Sequence, residues 1–323
     1  MSKVSVIIPV KNRANLLRKT LDNLLSQSLP PHEIIVVDDH STDNIRQVIF
    51  DYITEATFLN NEGIGPGAAR NLGLSHATGE YIQFFDSDDL MATDKLEKQV
   101  SAMEKSNADM AYGPYVKAEE TEKGWIQKDV VMQWHPISEN LSLTNAMLRG
   151  WNAITQACLF RKSFLDSVPQ WDENLITHED YLYLFRLSLL KPRLVHVPQS
   201  SVLYRQHGAQ STDQETRTRS RAKDRLQVLV EMRKDLATGR SGMFSRVLFA
   251  GRLKQAYDFL EAQGEDMRPY RGFIQAADPA CKLLYRFYNK QMRIQTRTHW
   301  EPMHGVSTDS HHFQQILNAC IHG

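Results

Sequence analysis

The feature that most limits the fold is the alternation of short apolar runs with segments of helical spacing in the first 90 residues. Four runs predict buried strands: Val4–Val10, Ile34–Val37, Phe58–Leu59 and Glu80–Phe85. Leucines between the first two runs recur at three- and four-residue spacing, which indicates a helix. Strands separated by helices of this length pair in parallel through right-handed crossovers. The sequence therefore predicts an α/β fold with a mostly parallel central sheet flanked by helices.

The rest of the chain is less regular. Met110–Ala118 and Trp125–Gln133 are predicted to pair as antiparallel strands, and Thr155–Arg161 to form another strand. The other predicted elements are helices over Asn44–Tyr52 (capped from Ser41–Asp43), Ala68–His76, Leu143–Arg149 and Glu179–Leu190, strands over Leu194–Val197 and Ser201–Leu203, and a loop over Tyr204–Ser211. Beyond about Asp213 the pattern is helical and basic. We expect an α/β domain over residues 1–212 and a helical C-terminal region over 213–323.

Composition excludes several classes of protein. The formal net charge of the 323-residue chain is +0, which argues against a general nucleic-acid-binding protein. Cys158, Cys281 and Cys320 lack the spacing of a metal site, and their odd number fits a reducing cytoplasm. We expect no signal peptide and no membrane-spanning helix. The predicted location is cytoplasmic, with peripheral contact at the inner face of the membrane left open.

Polar residues follow the predicted strands where each strand ends. Asn12, Asp39, the loop from Gly63 to Arg70 and the run Asp86–Asp89 all lie at carboxyl ends. Ligands of open parallel sheets bind beyond these ends. The sequence therefore predicts a binding site on one rim of the sheet.

The acidic run Asp86-Ser87-Asp88-Asp89 is the strongest single indication of chemistry. Carboxylates gathered at the end of a buried strand repel one another unless a cation or a donor-rich ligand satisfies them. Hard oxygen ligands suit Mg²⁺ or Mn²⁺, which commonly bridge carboxylates to phosphates. The alternative is a strand-to-helix turn with Asp89 or Thr93 as a helix cap. We favour the metal for Asp88 and leave Asp89 open.

Six segments, in this order, resemble glycosyltransferase family 2, whose fold is GT-A: Val6–Arg13, Ile35–Asp43, Gly67–Gly73, Phe85–Asp89, His178–Asp180 and Tyr204–Ser211. The resemblance covers Val4–Ser211 and leaves residues 213–323 outside it. It implies inverting transfer of a sugar from a nucleotide-diphosphate donor with Mn²⁺ or Mg²⁺. It also implies a nucleotide-binding half over residues 1–90 and an acceptor half over 91–212.

The resemblance implies a role for each matching residue. Asp180 would be the catalytic base, and Glu179 would orient the acceptor or nearby groups. Asp88 and His207 would hold the metal. The nucleotide would be bound by Pro9, Val10, Asn12, Arg13, Asp39, Gly67, Arg70, Asp86 and Ser87. Asp89, Trp151, Arg205 and Ser211 would contact the acceptor or support the site.

Each role has a plainer alternative from the residues themselves. Asp39 could cap a turn, and we favour that interpretation for its neighbour Asp38. Arg70 could form a surface salt bridge, the Glu179–Asp180 pair could cap a helix, and His207 could be structural. Trp151 and Trp171 could stack on sugar rings or belong to the core.

The predicted function is metal-dependent, inverting transfer to a saccharide hydroxyl in glycan or polysaccharide biosynthesis. A UDP-sugar donor is favoured and dTDP stays open, because Asp39 would accept the ring N–H that uracil and thymine share. The acceptor would be a saccharide or a lipid-linked saccharide, with no nucleic-acid partner. Alternatives are a nucleotidyltransferase and a non-catalytic sugar-nucleotide or glycan-binding protein. The basic C-terminal helices could be a solvated cap, a membrane contact or an oligomer contact.

Overall fold

The computed structural model describes residues 2–151, 154–207, 214–237, 242, 245–250, 253, 261 and 307–321. The strands are β1 (Val4–Val10), β2 (Glu33–Asp38), β3 (Thr57–Asn60), β4 (Tyr81–Phe84), β5 (Leu90–Met91), β6 (Met110–Tyr112), β7 (Tyr115–Thr121), β8 (Gly124–Gln127), β9 (Cys158–Arg161), β10 (Leu194–His196) and β11 (Val202–Gln206). The α-helices are α1 (Ala14–Leu25), α2 (Ile45–Asp51), α3 (Gly65–His76), α4 (Lys95–Ser106), α5 (Leu143–Arg149), α6 (Lys162–Leu165), α7 (Glu179–Leu189), α8 (Gln214–Ala237) and α9 (Ser310–Ile321). A 3-10 turn covers Thr155–Ala157.

The central sheet has seven strands in the order β10-β6-β9-β4-β1-β2-β3. Only β9 runs antiparallel to its neighbours, β4 and β6, while the four other pairings in this sheet are parallel. A second, four-stranded sheet has the order β5-β11-β7-β8. The predicted α/β fold with a mostly parallel central sheet is confirmed.

Alternating side chains of the inner strands face two hydrophobic cores. Ile7 on β1 belongs to the core that α3, α5 and α7 cover, whereas Val6 and Ile8 belong to the core that α1 and α4 cover. All three side chains are fully buried. A strand buried on both faces is expected to be a continuous apolar run, and this is the pattern that makes Val4–Val10 recognisable.

The predicted strand Met110–Ala118 is divided in the structure. Met110–Tyr112 joins the central sheet as β6, and Tyr115 begins β7 of the second sheet. Gly113 and Pro114 lie at the division. Proline has no N–H to donate, and a side chain at Gly113 would overlap the backbone of Ser200. The predicted antiparallel pairing with the following segment is present between β7 and β8.

Two other boundaries differ from the prediction. Thr155–Ala157 forms the 3-10 turn, so the strand predicted from Thr155 begins at Cys158. The predicted loop over Tyr204–Ser211 begins too early, because β11 continues to Gln206 in parallel register with β7. Pairing with a distant strand, which local sequence does not report, extends β11.

Two C-terminal helices pack on the sheets. Apolar residues of α8, among them Val228 and Met232, join the core beside α7, and Arg186 of α7 forms a salt bridge with Asp235 of α8 (3.1 Å). Residues Phe313 and Ile316 of α9 pack on the second sheet. None of the described helices is both long and apolar enough to cross a bilayer. The basic segment Leu283–Lys290 lies outside the described residues.

Candidate active site

Three polar segments meet at one edge of the central sheet. The parallel register pairs Val10 of β1 with Asp38 of β2, and β4 is the other neighbour of β1. Asn12, Asp39 and Asp86 follow these three strands. The N–H of Asp39 donates to the carbonyl oxygen of Val10 at 2.8 Å, which holds the strand ends together. Pro9 and Val10 are the last residues of β1 at this edge.

Asp39 is a buried carboxylate with donors on both oxygens. Asn61 Nδ2 (2.8 Å) and Gly65 N–H (2.9 Å) donate to Oδ1, and Lys11 Nζ lies 3.2 Å from Oδ2. Burial alone would raise the pKa of Asp39, but these donors outweigh it and the pKa is lowered. Asp38 instead accepts from the N–H of Ser41 at 3.0 Å, as a turn-capping residue does. Asp39 is thus ionised at neutral pH and able to accept a hydrogen bond from the ring N–H of a nucleobase.

Asn12 fixes the loop beside Asp39. Its backbone has a φ of 53°, in the left-handed region that asparagine tolerates better than most residues. Its N–H donates to Ser41 Oγ (2.9 Å), and its Oδ1 accepts from Thr42 N–H (2.7 Å). These contacts join the loop after β1 to the loop after β2.

Gly67 is required by packing within the protein. A Cβ at this position would lie 2.6 Å from the carbonyl oxygen of Asp172, a backbone atom that cannot rotate away. We expect Gly67→Ala to lower the free energy of unfolding by about 1–3 kcal/mol through overpacking. Urea denaturation would measure it. Gly242→Ala, where a Cβ has open space, is the control and should change the midpoint little; equal stability of the two variants would contradict the packing argument.

Arg70 is the buried centre of the site. Its Nη2 lies 2.8 Å from Asp86 Oδ1, and its Nη1 lies 2.8 Å from Glu179 Oε1. The guanidinium also packs over the ring of Trp171 at 4.5 Å. Burial opposes the charge, but the two carboxylates raise the pKa of Arg70 above its usual value. The alternative of a surface salt bridge is wrong, because Arg70 is buried and joins the end of β4 to the start of α7.

The acidic run forms a tight cluster. Single ligand atoms of Asp86, Asp88 and Asp89 all lie within 4.8 Å of one another. Burial and the neighbouring carboxylates raise the pKa of Asp89 well above its usual value. The amide of Gln156 donates to Asp86 Oδ2 and lies 3.2 Å from Asp89 Oδ2. One amide of the distant 3-10 turn therefore bridges two carboxylates of the cluster.

Contacts of Asp89 and Arg205 hold the backbone of the acidic run in place. Asp89 is fully buried, and its Oδ1 accepts from the N–H of Arg205 at 3.0 Å. The Arg205 side chain donates to the carbonyl oxygen of Asp88 and, at 3.0 Å, to Thr20 Oγ1. Thr20 Oγ1 donates in turn to the carbonyl oxygen of Ser87 at 3.0 Å. These contacts fix the backbone of the acidic run, so Asp89 and Arg205 act through its conformation.

Asp88 and His207 fit a divalent cation. His207 Nε2 lies 3.0 Å from Asp88 Oδ2, and Arg13 Nη1 contacts the same oxygen. Burial would raise the pKa of Asp88, but His207 and Arg13 outweigh it and the pKa is lowered. The Nδ1 atom of His207 is buried with no hydrogen-bond partner among the described residues. An ionised carboxylate beside an imidazole is a donor set that suits Mn²⁺.

Glu179 and Asp180 occupy the first turn of α7. Glu179 is buried against Arg70, while Asp180 lines a cavity of about 550 Å³ together with Arg70 and Asp86. The N–H of Tyr181 lies 2.7 Å from Asp180 Oδ1. Negative charge is favoured at a helix N-terminus, so capping and catalysis are compatible roles for this pair.

The buried carboxyl of Glu179 predicts a pH dependence of stability. Burial, only partly offset by Arg70, raises its pKa from 4.5 to about 7. Between these values the native state binds more protons than the unfolded state, so the free energy of unfolding falls as pH rises. We expect the wild type to lose up to about 3 kcal/mol relative to Glu179→Gln between pH ~5 and ~7.5. Urea denaturation at both pH values measures this difference.

The matched control for this pH dependence is Glu173→Gln, which removes a carboxyl outside the buried pair with Arg70. The free energy of unfolding of this variant should depend on pH as that of the wild type does. If Glu179→Gln also showed the wild-type pH dependence, the carboxyl of Glu179 would titrate near its usual pKa.

The cavity has a second wall that comes from α8. Val228, Leu229 and Met232 line it, with Arg225 one turn earlier on the same helix. Thr177 Oγ1 donates to Asp224 Oδ2 at 2.6 Å, which fixes this part of α8 beside the start of α7. The resemblance ended at Ser211 and did not include this wall.

Trp151 and Trp171 both belong to the core, and Trp151 also lines the cavity. Trp171 stacks on Tyr183 with ring centres 4.1 Å apart and belongs to the core. Trp151 is also buried, edge-on to Tyr112, but it lines the cavity. Its Nε1 has no hydrogen-bond partner among the described residues. Ser211 lies outside the described residues, so its predicted role stays a prediction.

Gln156 is the site residue that the sequence analysis missed. It contacts two carboxylates and lines the cavity. It lies in the segment Thr155–Arg161, which was interpreted as a plain strand. A single glutamine in such a run gives no signal in the local sequence. Its role becomes visible only when folding brings it against carboxylates 70 and 67 residues earlier in the chain.

The family model described as "Glycosyl transferase family 2" matches residues 5–168, which is more than half of the chain. The chain belongs to glycosyltransferase family 2. Membership argues against the nucleotidyltransferase alternative. The GT-A fold predicted from the six segments is confirmed by the central sheet and by the structural relatives described below.

Relatives of named function match between about a third and two thirds of the chain. The chain is 37% identical over 114 residues (35% of its length, 45% of the relative) to the Escherichia coli "UDP-Glc:alpha-D-GlcNAc-diphosphoundecaprenol beta-1,3-glucosyltransferase WfgD". It is 29% identical over 213 residues (62% and 68%) to the Erwinia amylovora "Amylovoran biosynthesis glycosyltransferase AmsB". It spans only 21% of a Rickettsia felis "Uncharacterized glycosyltransferase", to which it is 41% identical over 124 residues, 38% of this chain.

Solved structures show the same fold. S. aureus TarS 1-349 in complex with UDP-GlcNAc superposes with a TM-score of 0.69 at 21% identity, over 87% of this chain and 83% of the TarS 1-349 chain. The mannosyltransferase PcManGT from Pyrobaculum calidifontis, in complex with GDP-Man and Mn²⁺, gives a TM-score of 0.53 at 17% identity, over 98% and 86%.

Proposed function

We propose that this protein is an inverting glycosyltransferase that moves a sugar from a UDP-sugar to a hydroxyl of a saccharide acceptor in glycan biosynthesis. The observation that carries this proposal is the cavity lined by Asp86, Arg70 and Asp180. Asp86, which is suited to binding the donor, and Asp180, which is suited to activating the acceptor, both line this cavity. A non-catalytic binding protein would not need an ionisable base at that position.

Donor binding is assigned to the rim of the sheet. The ionised Asp39, held by Asn61 and Gly65, accepts the ring N–H of uracil. Asp86 faces the cavity and accepts from ribose hydroxyls. Arg13, which contacts Asp88 in the structure, lies where a guanidinium would meet the diphosphate. The UDP-GlcNAc complex of TarS supports a uridine donor for this fold.

Asp88 and His207 would hold a divalent cation beside the diphosphate. When bound there, the cation would supply Lewis-acid stabilisation of the negative charge on the departing UDP. Mn²⁺ in the PcManGT complex supports this choice of cofactor.

Asp180 removes the proton from the acceptor hydroxyl. As the hydroxyl oxygen bonds to the anomeric carbon from the face opposite the diphosphate, the O–H proton passes to the Asp180 carboxylate and the bond to UDP breaks. Glu179 does not share this role, because it is buried against Arg70 and its orientation is fixed. The Arg70–Glu179 pair positions the start of α7 against Asp86.

The α8 wall and Trp151 surround the acceptor side of the cavity. Val228, Leu229 and Met232 offer an apolar surface on which the face of a sugar ring packs, and Trp151 Nε1 offers a hydrogen bond. The acceptor of WfgD, a diphosphoundecaprenol-linked GlcNAc, supports a lipid-linked saccharide as acceptor here. Contact of the C-terminal region with a membrane, and oligomer formation, stay predictions.

The decisive experiment is calorimetric titration with UDP, dTDP, GDP and CDP, each with Mn²⁺ and with EDTA, followed by a donor screen with labelled UDP-sugars. Metal-dependent binding of UDP supports the proposal. dTDP binding of equal strength would widen the donor class but keep the role of Asp39. Preferential binding of GDP or CDP would remove that role, and binding of none of the four would overturn the transferase assignment.

A further inference from the structure

Lys95 is a fully buried lysine that the proposed chemistry does not use. It is the first residue of α4 and has no exposed surface. Its Nζ donates to Gln83 Oε1 and, at 2.8 Å, to Gln99 Oε1. Among the described residues it forms no salt bridge. Burial lowers its pKa to about 7, slightly offset by the thiols of Cys158 and Cys320.

Two glutamine amides turn their NH₂ groups away from this ammonium. Lys95 Nζ has enough hydrogens to donate to both amides whether or not it is charged, so both oxygens point to Lys95 and both nitrogens point outward. Gln83 Nε2 then donates to the carbonyl oxygen of Gln156 (3.1 Å), and Gln99 Nε2 to that of Ala157 (3.0 Å). The 3-10 turn is therefore held through the amides that Lys95 orients.

The same turn carries the side chain that contacts the acidic cluster. Gln156 donates to Asp86 and, at 3.2 Å, to Asp89. A continuous series of hydrogen bonds thus leads from Lys95 through Gln83 and Gln156 to the carboxylates. Without a donor at position 95, the oxygens of both amides would be buried with no donor, which favours a shift of the amides away from the turn.

A purely stabilising role does not account for a lysine here. Burying an ammonium is unfavourable, and proteins with apolar residues of similar volume in its place are often at least as stable. What an ammonium supplies and a methyl group does not is orientation of the two amides.

We propose that Lys95 is a positioning residue that, through Gln83, Gln99 and the 3-10 turn, sets Gln156 against Asp86 and Asp89 and thereby tunes binding of the metal and the donor diphosphate. The link to the donor rests on the proposed function; the link to Gln156 does not.

The test compares Lys95→Met, which keeps the length of the side chain and removes the donor, with the wild type. Mn²⁺ binding by electron paramagnetic resonance and UDP binding by calorimetry should both weaken about tenfold. The matched control is Thr144→Val, which removes the two buried hydrogen bonds between the hydroxyl of Thr144 on α5 and Ser188 on α7. It should leave both affinities unchanged.

A double-mutant cycle separates positioning from general damage. If Lys95 acts through Gln156, Lys95→Met should add no further weakening to Gln156→Leu. Additive losses, or wild-type affinity in Lys95→Met, would overturn the proposal.

If the wild type bound neither Mn²⁺ nor UDP, the proposed function would be contradicted, but the role of Lys95 could still be tested. A crystal structure of Lys95→Met would then show whether Lys95 positions Gln156. Displacement of Gln156 Nε2 from Asp86 and Asp89 supports the proposal, and an unchanged Gln156 refutes it. Should Lys95→Met fail to fold, Gln83→Leu, which breaks the same series one step later, replaces it with the same expected outcomes.

Discussion

Asp180→Asn should lower the rate of sugar transfer by about a thousandfold. The change removes the proton acceptor while keeping the size and hydrogen-bonding capacity of the side chain at the start of α7. Since the base acts only in the chemical step, UDP affinity should stay within about twofold of wild type. Turnover of a labelled UDP-sugar and calorimetry with UDP measure the two quantities separately.

The matched control for Asp180→Asn is Asp166→Asn, an exposed carboxylate at the end of α6 that should transfer at the wild-type rate. Wild-type turnover in Asp180→Asn would show that another group accepts the proton. A parallel loss of UDP affinity would instead place Asp180 in donor binding.

Asp88→Asn should abolish the dependence of UDP binding on Mn²⁺. The ionised carboxylate beside His207 is the anionic part of the assigned metal site, and an amide is a far weaker ligand. We expect the affinity for UDP in the presence of Mn²⁺ to fall by about a hundredfold, toward the value measured with EDTA. Calorimetry in both conditions gives the comparison.

Asp94→Asn is the control for this effect, because Asp94 forms a salt bridge with Lys98 on α4 and is not part of the acidic cluster. It should keep the full response to Mn²⁺. If Asp88→Asn kept that response as well, the cation would have to be held by other residues, and the assignment of Asp88 and His207 would be wrong.

Local pattern was enough for the elements that are buried on both faces or clearly amphipathic. The predicted and observed bounds agree for Val4–Val10 and for Leu143–Arg149. A strand covered on both sides is apolar throughout, so its length is visible in the sequence. The position of Asp39 and Asp86 at one edge also followed, because parallel strands direct their carboxyl ends to the same side.

Local pattern failed where a partner far along the chain sets the structure. Ser41–Asp43 was predicted to cap the helix that follows it, but Asp43 Oδ2 accepts from the N–H of Ala14 at the start of α1. Met110–Ala118 was interpreted as one strand, but its two parts belong to different sheets. In both cases the deciding contact is with residues far along the chain, which secondary-structure propensities of neighbouring residues cannot indicate.

The sequence by itself determined the α/β fold, the strand ends at which the polar residues gather, and the family. These depend on hydrophobic period and on motifs that each occupy a few consecutive residues. Only the tertiary structure decided that Arg70 bridges Asp86 and Glu179, that Gln156 donates to Asp86 and Asp89, and that α8 lines the cavity. The physical reason is that burial and charge pairing depend on where residues lie in space. The donors to the Asp86 carboxylate are Arg70 and Gln156, which are separated from it by 16 and 70 residues in the chain.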